Sequence, residues 1–291
     1  MRLRTLALLL ALTLAAPAIH AAGKGHLVLV GGGDKPVAAM KKFIELAGGP
    51  DAPIVVIPTA STEADTSQYY RDYFAKELGC SNTVVLEIWK KGDAERPDYV
   101  DLAKRARGIF FGGGDQVRIL NALEGTPVLD AIRAAHAGGA VVGGTSAGTA
   151  CQSRIMITGE GDFDLIQSRA VETWNGLGFL DDGIVVDQHF IARRRENRLI
   201  SVLLEHPGRL GVGVDEDTAA WFRPDGSFSV IGDRAVMVFD TRGSTLRRRP
   251  LDTGRALLGV SDMRVHILLD GDSFDPRSGK VKQAKERKSA R

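Results

Sequence analysis

From residue 26 to residue 150 the chain alternates short β-branched runs with stretches of helical spacing, and no other feature narrows the fold as far. His26 to Val30, Ile54 to Ile57, Thr83 to Ile88, Gly108 to Phe111 and Ala140 to Val142 read as strands. Val37 to Ala47, Tyr69 to Leu78, Tyr99 to Ala106, Gln116 to Leu123 and Val128 to His136 carry apolar residues at helical intervals. This alternation predicts an α/β fold with a mostly parallel sheet and helices on both faces. Strands covered on both sides should be apolar throughout, as Ile54 to Ile57 and Ala140 to Val142 are.

The second half changes character. Gly211 to Asp215, Ala219 to Phe222, Phe228 to Ile231, Ala235 to Phe239 and Arg264 to Leu269 are strand-like, with turn signals such as Pro224-Asp225-Gly226 between them. They are expected to add antiparallel strands to the sheet edge, within a single domain running from residue 23 to residue 277. No internal repeat is visible.

The two ends are compositionally distinct. Arg2 and Arg4 precede an eleven-residue apolar run, Leu6 to Ala16, followed by the small residues Ala16-Pro17-Ala18 and Ala21-Ala22. That is the layout of a secretory signal peptide over residues 1–22. The run is too short for a spanning helix, which needs about 20 apolar residues. No cysteine follows to carry a lipid. The expectation is an exported protein, periplasmic or secreted, that leaves the membrane once the signal is removed. Residues 278–291 are polar and basic without periodicity, and are expected to form a disordered tail. The whole chain carries a formal charge of +2; without both ends it holds 30 basic against 35 acidic groups. That balance argues against a nucleic-acid-binding surface. Export would permit a disulfide, but Cys80 and Cys151 sit in apparently buried positions and are expected to be free thiols.

The strongest chemical signal is Gly143-Gly144-Thr145-Ser146-Ala147-Gly148, directly after one strand and opening a helix. It fits G-x-S-x-G, in which small neighbours permit a sharp strand-to-helix turn that lifts the serine hydroxyl above the sheet. The amide of Ala147 would then face a developing oxyanion. Phe110-Phe111-Gly112-Gly113-Gly114-Asp115-Gln116 is a second glycine-rich strand-to-helix turn, and Gly113 or Gly114 is the candidate for a second oxyanion amide.

A serine nucleophile needs a base. His26, His136, His206 and His266 fall at strand or helix positions with structural explanations, whereas His189 follows Gly183 to Val186 at the C-terminal end of a strand, where open α/β sheets place their sites. The base needs an orienting carboxylate. Asp215, Glu216 and Asp217 end another strand, and spacing does not choose among them. Arg193, Arg194, Arg195 and Arg198 are read as opening the helix after His189, where the macrodipole disfavours cations. Bidentate recognition of substrate carboxylates would explain them. No His or Cys pair has metal-ligand spacing, so neither metal nor cofactor is expected.

Together, Gly143 to Gly148, Phe110 to Gln116, Asp187-Gln188-His189-Phe190 with the arginines after it, and Gly213 to Thr218 resemble the cyanophycinase and aspartyl dipeptidase (peptidase E) family of serine exopeptidases. The resemblance spans about Gly31 to Val260. It implies a fold like that of class I glutamine amidotransferases and a triad of Ser146, His189 and Glu216. It also implies substrate-binding roles for Gln116, Asp187, Gln188, Arg193, Arg195 and Arg198. The wording of these motifs is closer to cyanophycinase, which cleaves a poly-aspartate polymer bearing arginine on each β-carboxyl into β-aspartyl-arginine dipeptides. The expected partner is therefore a peptide or polypeptide rich in Asp and Arg, and a homodimer is an expectation of the family. Thr149 departs from the pattern, since cyanophycinases usually have Ala there. Three other readings compete: an aspartyl dipeptidase acting on short peptides, an α/β-hydrolase esterase using His206 or His266 as base, and an exported binding protein for acidic ligands.

Overall fold

The computed structural model describes residues 25–161 and 163–285. The expected signal peptide and residues 286–291 of the expected tail lie outside them. In chain order the first half runs Leu27–Val30 (β1), Val37–Ala47 (α1), Ile54–Ile57 (β2), Thr66–Asp72 (α2), Thr83–Val85 (β3), Pro97–Arg105 (α3), Gly108–Phe111 (β4), Gln116–Leu123 (α4), Pro127–Ala137 (α5), Val141–Thr145 (β5) and Ala147–Ala150 (α6). A π-helical turn at Tyr73–Glu77 prolongs α2. The second half runs Ile155–Gly161 (β6), Val171–Asn175 (β7), Ile184–Asp187 (β8), Glu196–Glu205 (α7), Leu210–Val214 (β9), Thr218–Phe222 (β10), Phe228–Gly232 (β11), Val236–Asp240 (β12), Thr245–Pro250 (β13), Ala256–Ser261 (β14), Arg264–Leu268 (β15), Ser273–Asp275 (β16) and Lys280–Lys282 (β17).

The helix boundaries follow local chemistry. Asp115 caps α4 by accepting the Val117 amide, and Thr126 does the same for Leu129 in α5, where Pro127 occupies the first turn. Strands β1 to β5 form the expected parallel array, in the order β1-β5-β4-β2-β3. Successive residues of a strand point to opposite faces. Leu27, Leu29, Ile109 and Phe111 accordingly enter one apolar core, while Val28, Val30 and Phe110 enter another. In the second core, Phe43, Phe74 and Phe110 meet edge to face with ring centroids 5.6 to 6.4 Å apart.

The expected antiparallel additions are present: β10 pairs with β1, and β11, β16 and β17 extend that edge. Two expectations need correction. Not every later strand joins the edge, because β15-β12-β9-β8 form a second sheet, in which β8 and β9 are parallel. With β10 occupying the position beside β1, these strands pair with each other, and α7 covers them. Gly211 and Gly213 leave room on β9 for Leu199, Leu203 and the Phe190 ring. The tail also begins later than expected, since Lys280–Lys282 pairs with Ser273–Asp275. Two hairpins, β6–β7 and β13–β14, have no counterpart in the sequence reading. Cys80 and Cys151 are free and buried, as expected. Among the described residues no helix is long and apolar enough to cross a membrane.

Candidate active site

The C-terminal ends of β1, β4 and β5 in the large sheet and of β8 and β9 in the small one converge at one place. Ser146 sits between β5 and α6 at φ 53°, ψ −115°. A non-glycine residue held at such an angle costs on the order of 1–3 kcal/mol and persists only where its surroundings enforce it. The surroundings here are tight. A Cβ on Gly148 would lie 2.2 Å from the carbonyl oxygen of Phe111, so α6 can press this closely on β4 only with glycine there. The Ser146 amide donates to the Val30 carbonyl at 3.1 Å, fixing the turn to β1. Thr149 is fully buried beneath the turn. Its hydroxyl lies 2.6 Å from the Val30 carbonyl and 3.0 Å from that of Gly144, so the departure at this position is absorbed by the scaffold and not by the cleft.

His189 follows β8, as expected, and its Nε2 lies 2.8 Å from Ser146 Oγ. Its Nδ1 lies 2.6 Å from Glu216 Oε1. The imidazole is held from several sides. Its backbone amide donates to Gly31 O at 2.6 Å, and its φ is 48°. A Cβ on Gly32, whose φ is +109°, would sit 2.2 Å from the imidazole Cε1. Burial holds the His189 pKa below the ordinary 6.5; the hydrogen bond that the imidazole donates to Glu216 opposes that shift, and Arg193 and Arg195 reinforce it. The Glu216 carboxyl is held below its usual range, chiefly by its hydrogen bond to His189. A neutral imidazole between a hydroxyl and a carboxylate is the arrangement that accepts a proton from serine.

The three adjacent acids all lie within 4.0 Å of the Arg234 guanidinium but differ in their other contacts. Asp215 turns inward and accepts the amides of Ile191 and Ala192 at 3.1 and 2.9 Å, anchoring the loop after His189. Asp217 accepts the Asp34 amide at 2.7 Å and lies 3.2 Å from Arg234 Nη2. Of the three, Glu216 alone reaches the imidazole.

The residues implied as substrate-binding separate into two groups. Ser146, Gln188, Arg193 and Arg195 line a cleft of about 370 Å³, with Gln188 Oε1 3.3 Å from Ser146 Oγ. Arg193 and Arg195 precede α7 instead of opening it, and Arg195 Nη1 donates to the Gln188 carbonyl at 2.8 Å. Burial, reinforced by Arg198, lowers the Arg195 pKa to about 10. Asp187 lies outside the cleft lining, and Arg198, though it lines the cleft, is tied to Asp187. They are 1% and 2% exposed and form a two-pronged ion pair: Arg198 Nε donates to Oδ2 at 2.7 Å, and Nη2 donates to Oδ1. Asp187 is therefore committed to Arg198 and to the Gln188 amide, not to the cleft. Gln116 lines the cleft, but its Nε2 donates to the carbonyls of Ile157 and Thr158, at 2.7 Å each.

At the second glycine turn, the Gly113 amide donates to the buried Tyr70 hydroxyl at 3.3 Å. The amides of Gly114 and Ala147 have no hydrogen-bond partner among the described residues. Tyr70 is a feature the sequence did not mark, since 43 residues separate it from the turn it supports. His206 and His266, the bases an esterase order would require, lie elsewhere. His206 ends α7, and His266 packs on Phe274 with centroids 5.3 Å apart.

The model of peptidase family S51 matches residues 27–230. A cyanophycinase from Thermosynechococcus vestitus is 37% identical over 267 residues, covering 90% of this chain and 82% of that protein. One from Geminocystis herdmanii is 34% identical, covering 88% of this chain and 95% of that protein. Among solved structures, a peptidase from an acI-B1 Actinobacterium superposes with a TM-score of 0.64 at 24% identity, over 87% of this chain and 98% of that one.

Proposed function

The chain belongs to peptidase family S51 and is a serine-type peptidase, and from that premise we propose that it is an exported exopeptidase of the cyanophycinase type. In this reading it cleaves the poly-aspartate backbone of cyanophycin, multi-L-arginyl-poly-L-aspartate, and releases β-aspartyl-arginine dipeptides. The observation that carries it is the hydrogen-bonded line from Ser146 through His189 to Glu216, at 2.8 and 2.6 Å.

Ser146 Oγ attacks the scissile carbonyl while its proton passes to His189 Nε2. Glu216 holds Nδ1–H and stabilises the imidazolium that forms. The carbonyl electrons move onto oxygen, where the amides of Ala147 and Gly114 supply donors. Collapse of the tetrahedral species breaks the C–N bond, and His189 returns the proton to the leaving amine. Water then repeats the sequence on the acyl-enzyme. Arg193, Arg195 and Gln188 orient the substrate's carboxylates beside the nucleophile.

The test is incubation of residues 23–291, wild type and Ser146→Ala, with insoluble cyanophycin and separately with aspartyl dipeptides, products being read by mass spectrometry. Release of β-aspartyl-arginine by wild type alone is the expected result. Dipeptide cleavage without attack on the polymer would make the protein an aspartyl dipeptidase, and turnover that survives Ser146→Ala would remove the serine mechanism. Export is checked separately, by finding the protein outside the cytoplasm with residues 1–22 removed.

A further inference from the structure

Thr158, Gly159 and Glu160 of the β6–β7 hairpin supply one part of the cleft lining, and arginines before and on α7 supply another. The two strands of the hairpin pair regularly from Ile155 opposite Asn175 to Ile157 opposite Thr173, then shift register, and pairing resumes at Gly161 opposite Val171. The chain between them, residues 158–160, is a bulge, a feature that bends a strand and re-aims a side chain. Two sets of contacts fix it. Gln116 Nε2 holds the carbonyls of Ile157 and Thr158. The Thr158 hydroxyl lies 2.9 Å from Glu172 Oε2 and accepts the Glu160 amide at 3.2 Å.

The bulge sets Glu160 on the lining of the same cleft as Ser146, Arg193 and Arg195. Its carboxylate is exposed and has no ion-pair or hydrogen-bond partner among the described residues. The other acid on the cleft, Asp115, is engaged in capping α4. The same lining holds Arg193, more than half exposed, Arg195, and Arg198, which is paired with Asp187. One segment of the lining thus offers cations and another a single unpaired carboxylate. Glu160 also lines a second cavity of about 740 Å³ along the hairpin, whose other charged lining residues are Glu172, Glu205, Arg169 and Arg255.

We propose that Glu160 is a specificity-determining residue that binds the guanidinium of the substrate's arginyl side chain, while Arg193 and Arg195 take its carboxylates. The assignment rests on the depolymerase reading above. A β-aspartyl-arginine unit carries both signs of charge at once, and the two segments complement it. A plain aspartyl dipeptide would use only the cationic segment. A carboxylate meeting a guanidinium forms charge-assisted, two-pronged hydrogen bonds, which are stronger and more directional than those to a neutral group.

The test compares kcat/KM of the mature enzyme on two soluble oligomers, β-aspartyl-arginine and its isostere β-aspartyl-citrulline, in which a neutral urea replaces the guanidinium. Wild type should prefer the arginyl oligomer by about tenfold or more, the range of a hydrogen bond to a charged partner. Glu160→Gln should bring that ratio close to one, the loss on the arginyl oligomer appearing in KM. Glu160→Lys should invert the ratio. A ratio that Glu160→Gln leaves at the wild-type value, or a wild type with no preference, overturns the assignment while the depolymerase reading stands. A wild type that cleaves neither oligomer yet hydrolyses aspartyl dipeptides overturns the depolymerase reading itself, and this assignment with it.

Discussion

The Asp187–Arg198 pair gives the sharpest test of how this site is held. Both side chains are almost fully buried, and Asp187 is the residue before the Gln188-His189 pair that faces Ser146. Arg198→Met keeps the apolar stem but removes the guanidinium, leaving the Asp187 carboxylate buried with the Gln188 amide as its remaining donor. Removing one partner of a buried ion pair costs about 3–5 kcal/mol, because the other charge is stranded away from water. Asp187→Asn on that background removes the stranded charge and should return most of the loss. Replacing both members of a buried pair is often close to neutral. The assay is urea unfolding followed by tryptophan fluorescence for wild type, the single variant and the double variant, with KM measured on each folded protein. A single variant as stable as wild type, with its defect confined to KM, would refute this reasoning and return Arg198 to direct contact with substrate.

Three further outcomes follow from the geometry. Burial keeps the His189 pKa below 6.5, so the acid limb of kcat/KM should fall below that value; because the Glu216 hydrogen bond pulls the pKa upward, Glu216→Gln should move the limb lower still and cut kcat by about a thousandfold or more. A pH profile of Glu216→Gln with its limb shifted upward would contradict the assigned contact. Gly32→Ala places a methyl 2.2 Å from the imidazole and should lower kcat by about a hundredfold with little change in KM, as measured by steady-state kinetics. Thr149→Ala removes the hydroxyl bonds to Val30 and Gly144 and should cost about 1–2 kcal/mol of stability by urea unfolding, with turnover within about twofold of wild type.

The nucleophile turn was legible because its composition is a steric necessity: between β5 and α6, only residues without bulk let the two elements meet at that angle. The base was legible by elimination among few histidines. The acid was not. Asp215, Glu216 and Asp217 lie past the end of β9, in a turn where Asp217 has φ 53°, so strand alternation does not say which of them meets His189. That depends on β8 lying beside β9, a pairing between strands separated by a helix. The same limit hid the second sheet, since apolar alternation identifies a strand without naming its neighbour. The ion pair between Asp187 and Arg198 was hidden for a related reason, because a motif records which residues recur near a site but not which of them bond to each other. The hairpin that carries Glu160 left little trace, its apolar start at Ile155 to Ile157 running into Gly159 and Gly161 at the bulge.

The site also divides its chemistry between two sheets. Ser146 rides on the large sheet, whereas His189 and Glu216 ride on the ends of β8 and β9 in the small one. Their registration rests on the first glycine turn after β1. Gly31 accepts the His189 amide, its own amide reaches Thr218, and Gly32 accepts the Asp217 amide at 2.9 Å. A single turn thereby fixes the base, the segment carrying the acid and, through Val30, the nucleophile. Rigid elements joined at one such point hold a hydrogen-bonded line to within a few tenths of an ångström only if that turn is itself incompressible. Its glycines, packed against His189 and against the carbonyl of Asp215, leave no space into which it can relax. Substitutions in this turn should therefore disturb catalysis before they disturb folding.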